Sequence, residues 1–214
     1  MVKNKNTFPD NSLSNQIAEK ITHEIITGKL EPGEKIIESA YAEEFGTSRA
    51  PIRESLYLLA TEGLIERIPR KGAVVKDYSE AEIYDICEVR MVLESLAMKR
   101  IKQNGVKHEV QNKMDDIVDK MELAKDDITE YTYLNQELHK CIIEMSGSNI
   151  ISDMYWRLGR PLLTLQRISF LQEQYIEKSL EDHKEIIQLL LINDFDKASA
   201  LLEKHNQDVI QRII

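Results

Sequence analysis

At 214 residues, with 42% apolar and 30% charged side chains, the chain has room for two small domains or one large one and is too apolar to belong to the disordered class. No run of about 18 apolar residues occurs, and the opening MVKNKNTFPDNS has no apolar segment of the secretory kind, so the expectation is a cytoplasmic protein with no membrane contact. The net charge of −9 argues against a nucleic-acid binder until it is divided: residues 1–76 hold 11 Lys/Arg and 11 Asp/Glu, whereas residues 77–214 hold 17 against 26.

Residues 1–12 are polar and are expected to fray. A first helix is predicted from about Ser14 to Thr27, with Ile17, Ile21 and Ile25 on one stripe and Gly28 just past the end. Glu31-Pro32-Gly33-Glu34 reads as a turn, and Ile36-Ile37 as a short strand. The next stretch has the punctuation of a helix-turn-helix. A short helix ends at Phe45, Gly46 follows it, and Thr47 or Ser48 caps a second helix with Pro51 in its first turn. Ile52, Leu56 and Leu59 give that second helix a buried stripe, and Arg49 and Arg53 stand one turn apart beside it, at the end a recognition helix pushes into a major groove. Leu64 to Ile68, the turn Pro69-Arg70-Lys71-Gly72 and the β-prone Ala73-Val74-Val75 then predict a two-stranded wing with a basic tip. An arbitrary basic cluster is more often a solvated face; here Arg49, Arg53, Arg67, Arg70 and Lys71 all fall in elements of one motif.

This region resembles the winged helix of the GntR family of bacterial transcription regulators. The resemblance runs from Ile25-Ile26-Thr27-Gly28-Lys29-Leu30-Glu31-Pro32-Gly33-Glu34-Lys35-Ile36 through Ser48-Arg49-Ala50-Pro51-Ile52-Arg53-Glu54-Ser55-Leu56 to Lys71-Gly72-Ala73-Val74-Val75. It implies that Ser48, Arg49 and Arg53 face operator DNA and that Lys71 and Gly72 place the wing tip in the minor groove. Ser39 departs from the pattern, standing where similar members carry an arginine to the DNA.

After a brief Asp77-Tyr78 linker the pattern turns wholly helical, so the domains are expected at 1–76 and 77–214. Ser79 and Glu82 form a capping box. The apolar positions Ile83, Ile86, Val89, Val92 or Leu93, Leu96 and Ile101 carry one long helix to Asn104-Gly105. Further helices are predicted at about 107–125, 128–146, 149–170, 175–192 and 195 to the end, with Pro161 kinking the fourth. Six helices without a strand pattern make an antiparallel bundle, so the expected fold is mainly α: a winged helix-turn-helix followed by an all-α bundle. Cys87 and Cys141 lie far apart inside helical patterns and read as buried small hydrophobes rather than a disulfide. Tyr155 and Trp156 read as core or dimer packing, and Arg157, Arg160 and Arg167 beside them stay undecided.

His139, His183 and His205 fall on the third, fifth and sixth of these helices. Positions 183 and 205 are equally far from the turn near residue 194, so they face each other across a hairpin. Projecting 139 and 183 onto the fourth helix puts them near residues 156 and 161, a mismatch of about 8 Å at the helical rise. One histidine alone is more often a satisfied core or surface residue. Three at one level suit a divalent metal such as zinc or nickel, and Asn135, one turn before His139, offers an amide oxygen to the same spot. The second half is similar to the ligand-binding domain of the FadR-type (FCD) subfamily, whose metal-binding members show Asp-x-x-x-His on one helix and two later histidines. Asn135 replaces the aspartate, which leaves a site charge near +2 and strengthens its pull on an anion. The resemblance also implies that Arg90 lies near an effector carboxylate, whereas its spacing from Glu94 alone fits an i,i+4 surface pair.

The expected function is a homodimeric transcription regulator, most simply a repressor, that binds double-stranded operator DNA and is controlled by a small organic acid at the metal. Two alternatives remain at this level: a metal-dependent hydrolase or isomerase fused to a winged helix, and a pure metal sensor. The enzyme reading is disfavoured because no HExxH-like motif sets a base beside the metal.

Overall fold

In the computed structural model the described residues are 12–214, so the expectation for residues 1–11 lies outside them. The chain divides between Asp77 and Tyr78 into two compact units.

The first unit runs α1 (Leu13–Ile26), β1 (Lys35–Ile36), α2 (Glu38–Glu44), α3 (Arg49–Thr61), β2 (Ile65–Ile68) and β3 (Gly72–Val75). Ile17, Ile21 and Ile25 of α1 pack with Ile52, Leu56 and Leu59 of α3 and with Ile36, Ile65, Ala73 and Val75 of the sheet. Each such aliphatic side chain withdrawn from water stabilises the unit by about 1.5–3 kcal/mol before chain entropy is set against it. The antiparallel sheet has the order β1-β3-β2, with Ile36 opposite Ala73 and Arg67 opposite the same residue on the other side. Gly46 turns the chain between α2 and α3 at φ 58°, a left-handed conformation costly for a residue with a Cβ. Ser48 takes the N-cap position of α3, although its side chain makes no capping hydrogen bond.

In the second unit seven helices follow: α4 (Glu80–Asn104), α5 (His108–Leu123), α6 (Ile128–Met145), α7 (Asn149–Arg157), α8 (Gly159–Ser169), α9 (Glu173–Leu191) and α10 (Phe195–Ile213). The Ser79–Glu82 capping box starts α4, and Asp127, Ser148 and Asp194 cap α6, α7 and α10 by accepting from backbone N–H groups. Two expectations need correction. The fourth predicted helix is two helices that meet at Leu158, because the Pro161 ring crowds the carbonyl of Arg157 and supplies no N–H to it. Gln136 Nε2 of α6 donates to Gly159 O at 2.8 Å and so ties the break to the bundle. The inner face of α4 is also only partly the one its apolar residues suggest. Ile83, Cys87, Arg90, Leu93, Glu94, Ala97, Met98 and Ile101 point in, so Leu93 and not Val92 is the buried one of that pair, while Val89, Val92 and Leu96 are exposed. An arginine and a glutamate at i,i+4 neutralise each other and can take inward positions that neither takes alone.

Candidate metal centre and DNA-facing surface

α6, α9 and α10 bring His139, His183 and His205 together in the interior of the bundle, each at most 1% exposed. Ring centroids lie 5.0 Å apart for His139–His183, 4.6 Å for His183–His205 and 5.3 Å for His139–His205, and one ring nitrogen from each falls within 4.8 Å of the others. The level mismatch anticipated from helical rise is absent. It fell on residues 156–161, the stretch across which α7 gives way to α8, where a steady rise per residue does not apply.

His139 Nε2 and His183 Nε2 are 3.1 Å apart. Behind them stand two carboxylates: Glu94 Oε1 is 3.0 Å from His139 Nδ1, and Asp182 Oδ2 is 3.3 Å from His205 Nδ1. At His205, which is hydrogen-bonded to Asp182, the carboxylate keeps the proton on Nδ1 and leaves the Nε2 lone pair free, the arrangement by which proteins orient metal-bound imidazoles. Glu94 lies at ion-pair distance from His139 Nδ1 without a formed hydrogen bond, and His139 Nδ1 and His183 Nδ1 are both buried without a hydrogen-bond partner among the described residues. Burial, then the other histidines and Arg90, hold the His183 pKa well below its ordinary value. Burial and Arg90 lower His139 to about 4, and burial lowers His205 despite the opposing pull of Asp182. Three neutral imidazoles with two nitrogens 3.1 Å apart suit a divalent ion, whose adjacent nitrogen ligands stand about 3.0–3.4 Å apart. The residues therefore fit a divalent metal ion, and imidazole donors suit several first-row metals.

Asn135 is buried one turn before His139, and its Oδ1 accepts from Ser179 Oγ at 3.5 Å; Ser179 in turn lies one turn before His183. The two helices thus run side by side with Asn135 and Ser179 one level below the imidazoles.

Arg90 and Glu94, 2% and 1% exposed in their side chains, are not a surface pair; Arg90 Nε donates to Glu94 Oε1 at 2.9 Å. Glu94 also accepts from Asn206 Nδ2 at 2.6 Å and from Tyr155 OH at 3.4 Å. Burial pushes the Glu94 pKa up, but Arg90, His139 and Asn206 outweigh it and hold the carboxylate ionised. One guanidinium nitrogen, Arg90 Nη2, remains buried and unpaired among the described residues. Sequence reasoning reached the histidines and the Arg90–Glu94 pair as a possible pocket group, but not the place of Glu94 beside His139, nor Asp182, Tyr155 or Asn206. The available signal was that metal-ready imidazoles need carboxylates behind them and that Glu94 and Asp182 lie on helices already placed at the site. Trp156 is exposed beneath Lys140, whose Nζ is 4.1 Å from the ring centre, and so is not a core residue.

In the first unit, Ser48 and Arg49 are exposed at the start of α3. Arg53, one turn on, is exposed and donates from Nε to Glu38 Oε2 of α2 at 3.1 Å. Lys71 lies exposed in the β2–β3 turn, which Arg70 at φ 66° and Gly72 at φ 95° close with the bond from Lys71 N to Ile68 O. No described helix is long and apolar enough to cross a membrane.

Over residues 13–75 the chain matches the family described as "Bacterial regulatory proteins, gntR family", and over residues 85–208 the FCD domain. The Gluconate operon transcriptional repressor of Bacillus licheniformis is 30% identical, aligned over 98% of this chain and 90% of its own. Its namesake in Bacillus subtilis (strain 168) is 29% identical over 92% of this chain and 84% of its own. Among solved structures, a putative transcriptional regulator GntR from Rhodococcus sp. RHA1 is similar in fold with a TM-score of 0.82 at 18% identity, covering 94% of this chain and 96% of that one. E. coli McbR/YncC gives 0.77 at 20% identity, covering 92% and 94%.

Proposed function

The chain belongs to the GntR family of bacterial regulatory proteins, with an FCD domain as its second half, and from that premise we propose that it is a cytoplasmic, homodimeric repressor whose grip on operator DNA is set by a small carboxylate bound at a divalent ion. The observation that supports this reading is the convergence of His139, His183 and His205 in the bundle interior with Glu94 and Asp182 behind two of them. Once bound, the ion supplies a positive centre to which a carboxylate oxygen can coordinate. Asn135 would be its weak fourth protein ligand, and Arg90, with an unpaired guanidinium nitrogen, would pair with the rest of the anion.

For DNA, Arg49 and Arg53 at the start of α3 would reach guanine edges or phosphates, Ser48 would donate to the backbone, and Lys71 with Gly72 would carry the wing tip into the minor groove. Arg53 would exchange Glu38 for DNA on binding, so the pair with Glu38 keeps an otherwise floppy side chain near its working position. Two relatives carry the name Gluconate operon transcriptional repressor, which makes gluconate, a hydroxylated carboxylate, the first effector to try.

The test is an operator-release assay on purified protein with gluconate and a panel of small carboxylates, run with zinc or nickel and again after chelation. The reading requires release by at least one acid in the presence of metal and its loss on chelation. Release by an acid that chelation leaves unchanged would detach the effector from the histidine centre.

A further inference from the structure

Two helical turns from the histidines, the bundle holds further polar groups that its own chain leaves unsatisfied. Both amide atoms of Gln166 and the Nη1 of Arg212 are buried without a hydrogen-bond partner among the described residues, and Gln166 as a whole is 1% exposed. No carboxylate pairs with Arg212 among the described residues; its Cζ stands 4.7 Å from the ring centre of Tyr175. A buried amide with donor and acceptor both unused, and a guanidinium without a counter-ion, are costly in a bundle and mark a place that another molecule fills.

These groups share one level. Arg212 follows His205 by two turns on the same face of α10, and across the α9–α10 turn that level is the start of α9, where Tyr175 meets it. Gln166 and Ile176 flank the α8–α9 turn at equal distance from Leu171, so Gln166 is level with them, and Tyr131 of α6 joins the level by donating from its OH to Ile176 O at 3.1 Å. Two turns of helix separate this level from the imidazoles by about 10 Å, with Asn135 and Ser179 in between. Arg212 is also felt at the histidines: burial lowers the His183 pKa most, and the other histidines, Arg90 and then Arg212 lower it further.

We propose that Arg212 and Gln166 form a second subsite of the pocket, and that the effector is an acid with two anionic groups, one for the metal and one for Arg212. This rests on the reading of the histidine centre as a metal site for a carboxylate and names the class of acid it takes. With about 2 Å from ion to carboxylate oxygen and about 2.8 Å from guanidinium nitrogen to its acceptor, roughly 5 Å is left between the two anionic oxygens, the reach of an acid of about four to six carbons. Glu94 is committed to Arg90, so the ion and Arg212 are the positive charges left uncompensated, and a dianion offsets them more fully than a monoanion. The free donor and acceptor of Gln166 suit a hydroxyl on that chain.

Calorimetry on full-length, zinc-loaded protein tests this with acids that differ in one group: gluconate against glucarate, in which the far CH₂OH is a carboxylate, gluconate against phosphogluconate, and hexanoate against adipate. The doubly acidic member should bind about tenfold to a hundredfold tighter, the gain a charged hydrogen bond to a desolvated guanidinium gives, and the stronger of glucarate and phosphogluconate tells a second carboxylate from a phosphate. Arg212→Gln should erase that advantage while the affinities for zinc and for the monoacids stay within about threefold of wild type. Gln166→Leu should weaken the hydroxylated acids and spare adipate, with circular dichroism verifying helix content in both variants. Binding of no acid at all would defeat the carboxylate reading itself. Monoacids that bind as tightly as their doubly acidic counterparts, or an advantage that survives Arg212→Gln, would overturn the second subsite and leave the carboxylate reading intact.

Discussion

Glu94→Gln is the change the structure marks as most costly. Glu94 accepts from Arg90 Nε at 2.9 Å and from Asn206 Nδ2 at 2.6 Å, and it faces His139 Nδ1 at 3.0 Å, all three partners being buried. Glutamine has the same shape but no charge, and its amide N–H₂ must face at least one of these donors. The larger effect is on Arg90, whose side chain is 2% exposed and for which Glu94 is the ion-pair partner. An uncompensated buried charge of this kind costs about 3–5 kcal/mol, a large part of a typical domain's stability. Removing the charge as well, in Arg90→Met with Glu94→Gln, leaves glutamine with Asn206 and Tyr155 and no stranded guanidinium. The double variant should therefore be more stable than the sum of the two single losses by roughly 2–3 kcal/mol. Urea unfolding followed by circular dichroism on chelator-treated protein measures all four corners of this cycle. A Glu94→Gln loss under about 1 kcal/mol, or additive losses in the double variant, would refute the argument that the pair is buried and mutually dependent.

Acidification should destabilise the metal-free protein in a defined window. His139 has its folded pKa lowered to about 4 from 6.5, so the unfolded chain binds the proton first; the stability from this group is complete above pH 6.5 and is lost as pH falls toward 4, about 3 kcal/mol in all. His183 and His205, lowered in the same direction, deepen the loss, whereas Glu94 contributes only below the ordinary carboxylate range; a flat urea midpoint between pH 7 and 5 would contradict the neutral buried triad. His183→Ala should abolish the rise in Tm that zinc or nickel gives the wild type, a stabilisation of about 4 kcal/mol at a thousandfold excess over Kd, and Asn135→Asp should enlarge that rise. Metal-induced shifts equal in wild type and His183→Ala would remove the histidines from the site. Arg49→Ala and Arg53→Ala should each weaken operator binding by about 1–3 kcal/mol where the lost contact is bidentate to guanine, as read by a gel-shift titration at fixed salt, and undiminished affinity in both would place the DNA elsewhere.

Local signals and long-range pairings were not equally legible in the sequence. The winged helix was readable because its parts are short and punctuated: Gly46 after α2, Pro51 inside the first turn of α3, and the Pro69–Gly72 turn each permit few conformations. Of the three histidines, His183 and His205 were readable as a facing pair from their equal distances to one turn, whereas His139 was placed by projection along a helix that breaks at Leu158. What the pattern could not give was the rotation of α4 about its axis. Apolar periodicity counted Val89, Val92 or Leu93, and Leu96 as core and did not count Arg90 and Glu94, yet that pair and Leu93 are buried while Val89, Val92 and Leu96 face out. The reason is energetic: a charge is excluded from an interior only while it is unpaired, and Glu94 has partners on α4, α6, α7 and α10 that become neighbours only in the folded bundle. The turned face therefore has one physical cause: the inward Arg90–Glu94 pair is stabilised by partners on four helices, and that network, not apolar periodicity, sets the rotation of α4 about its axis.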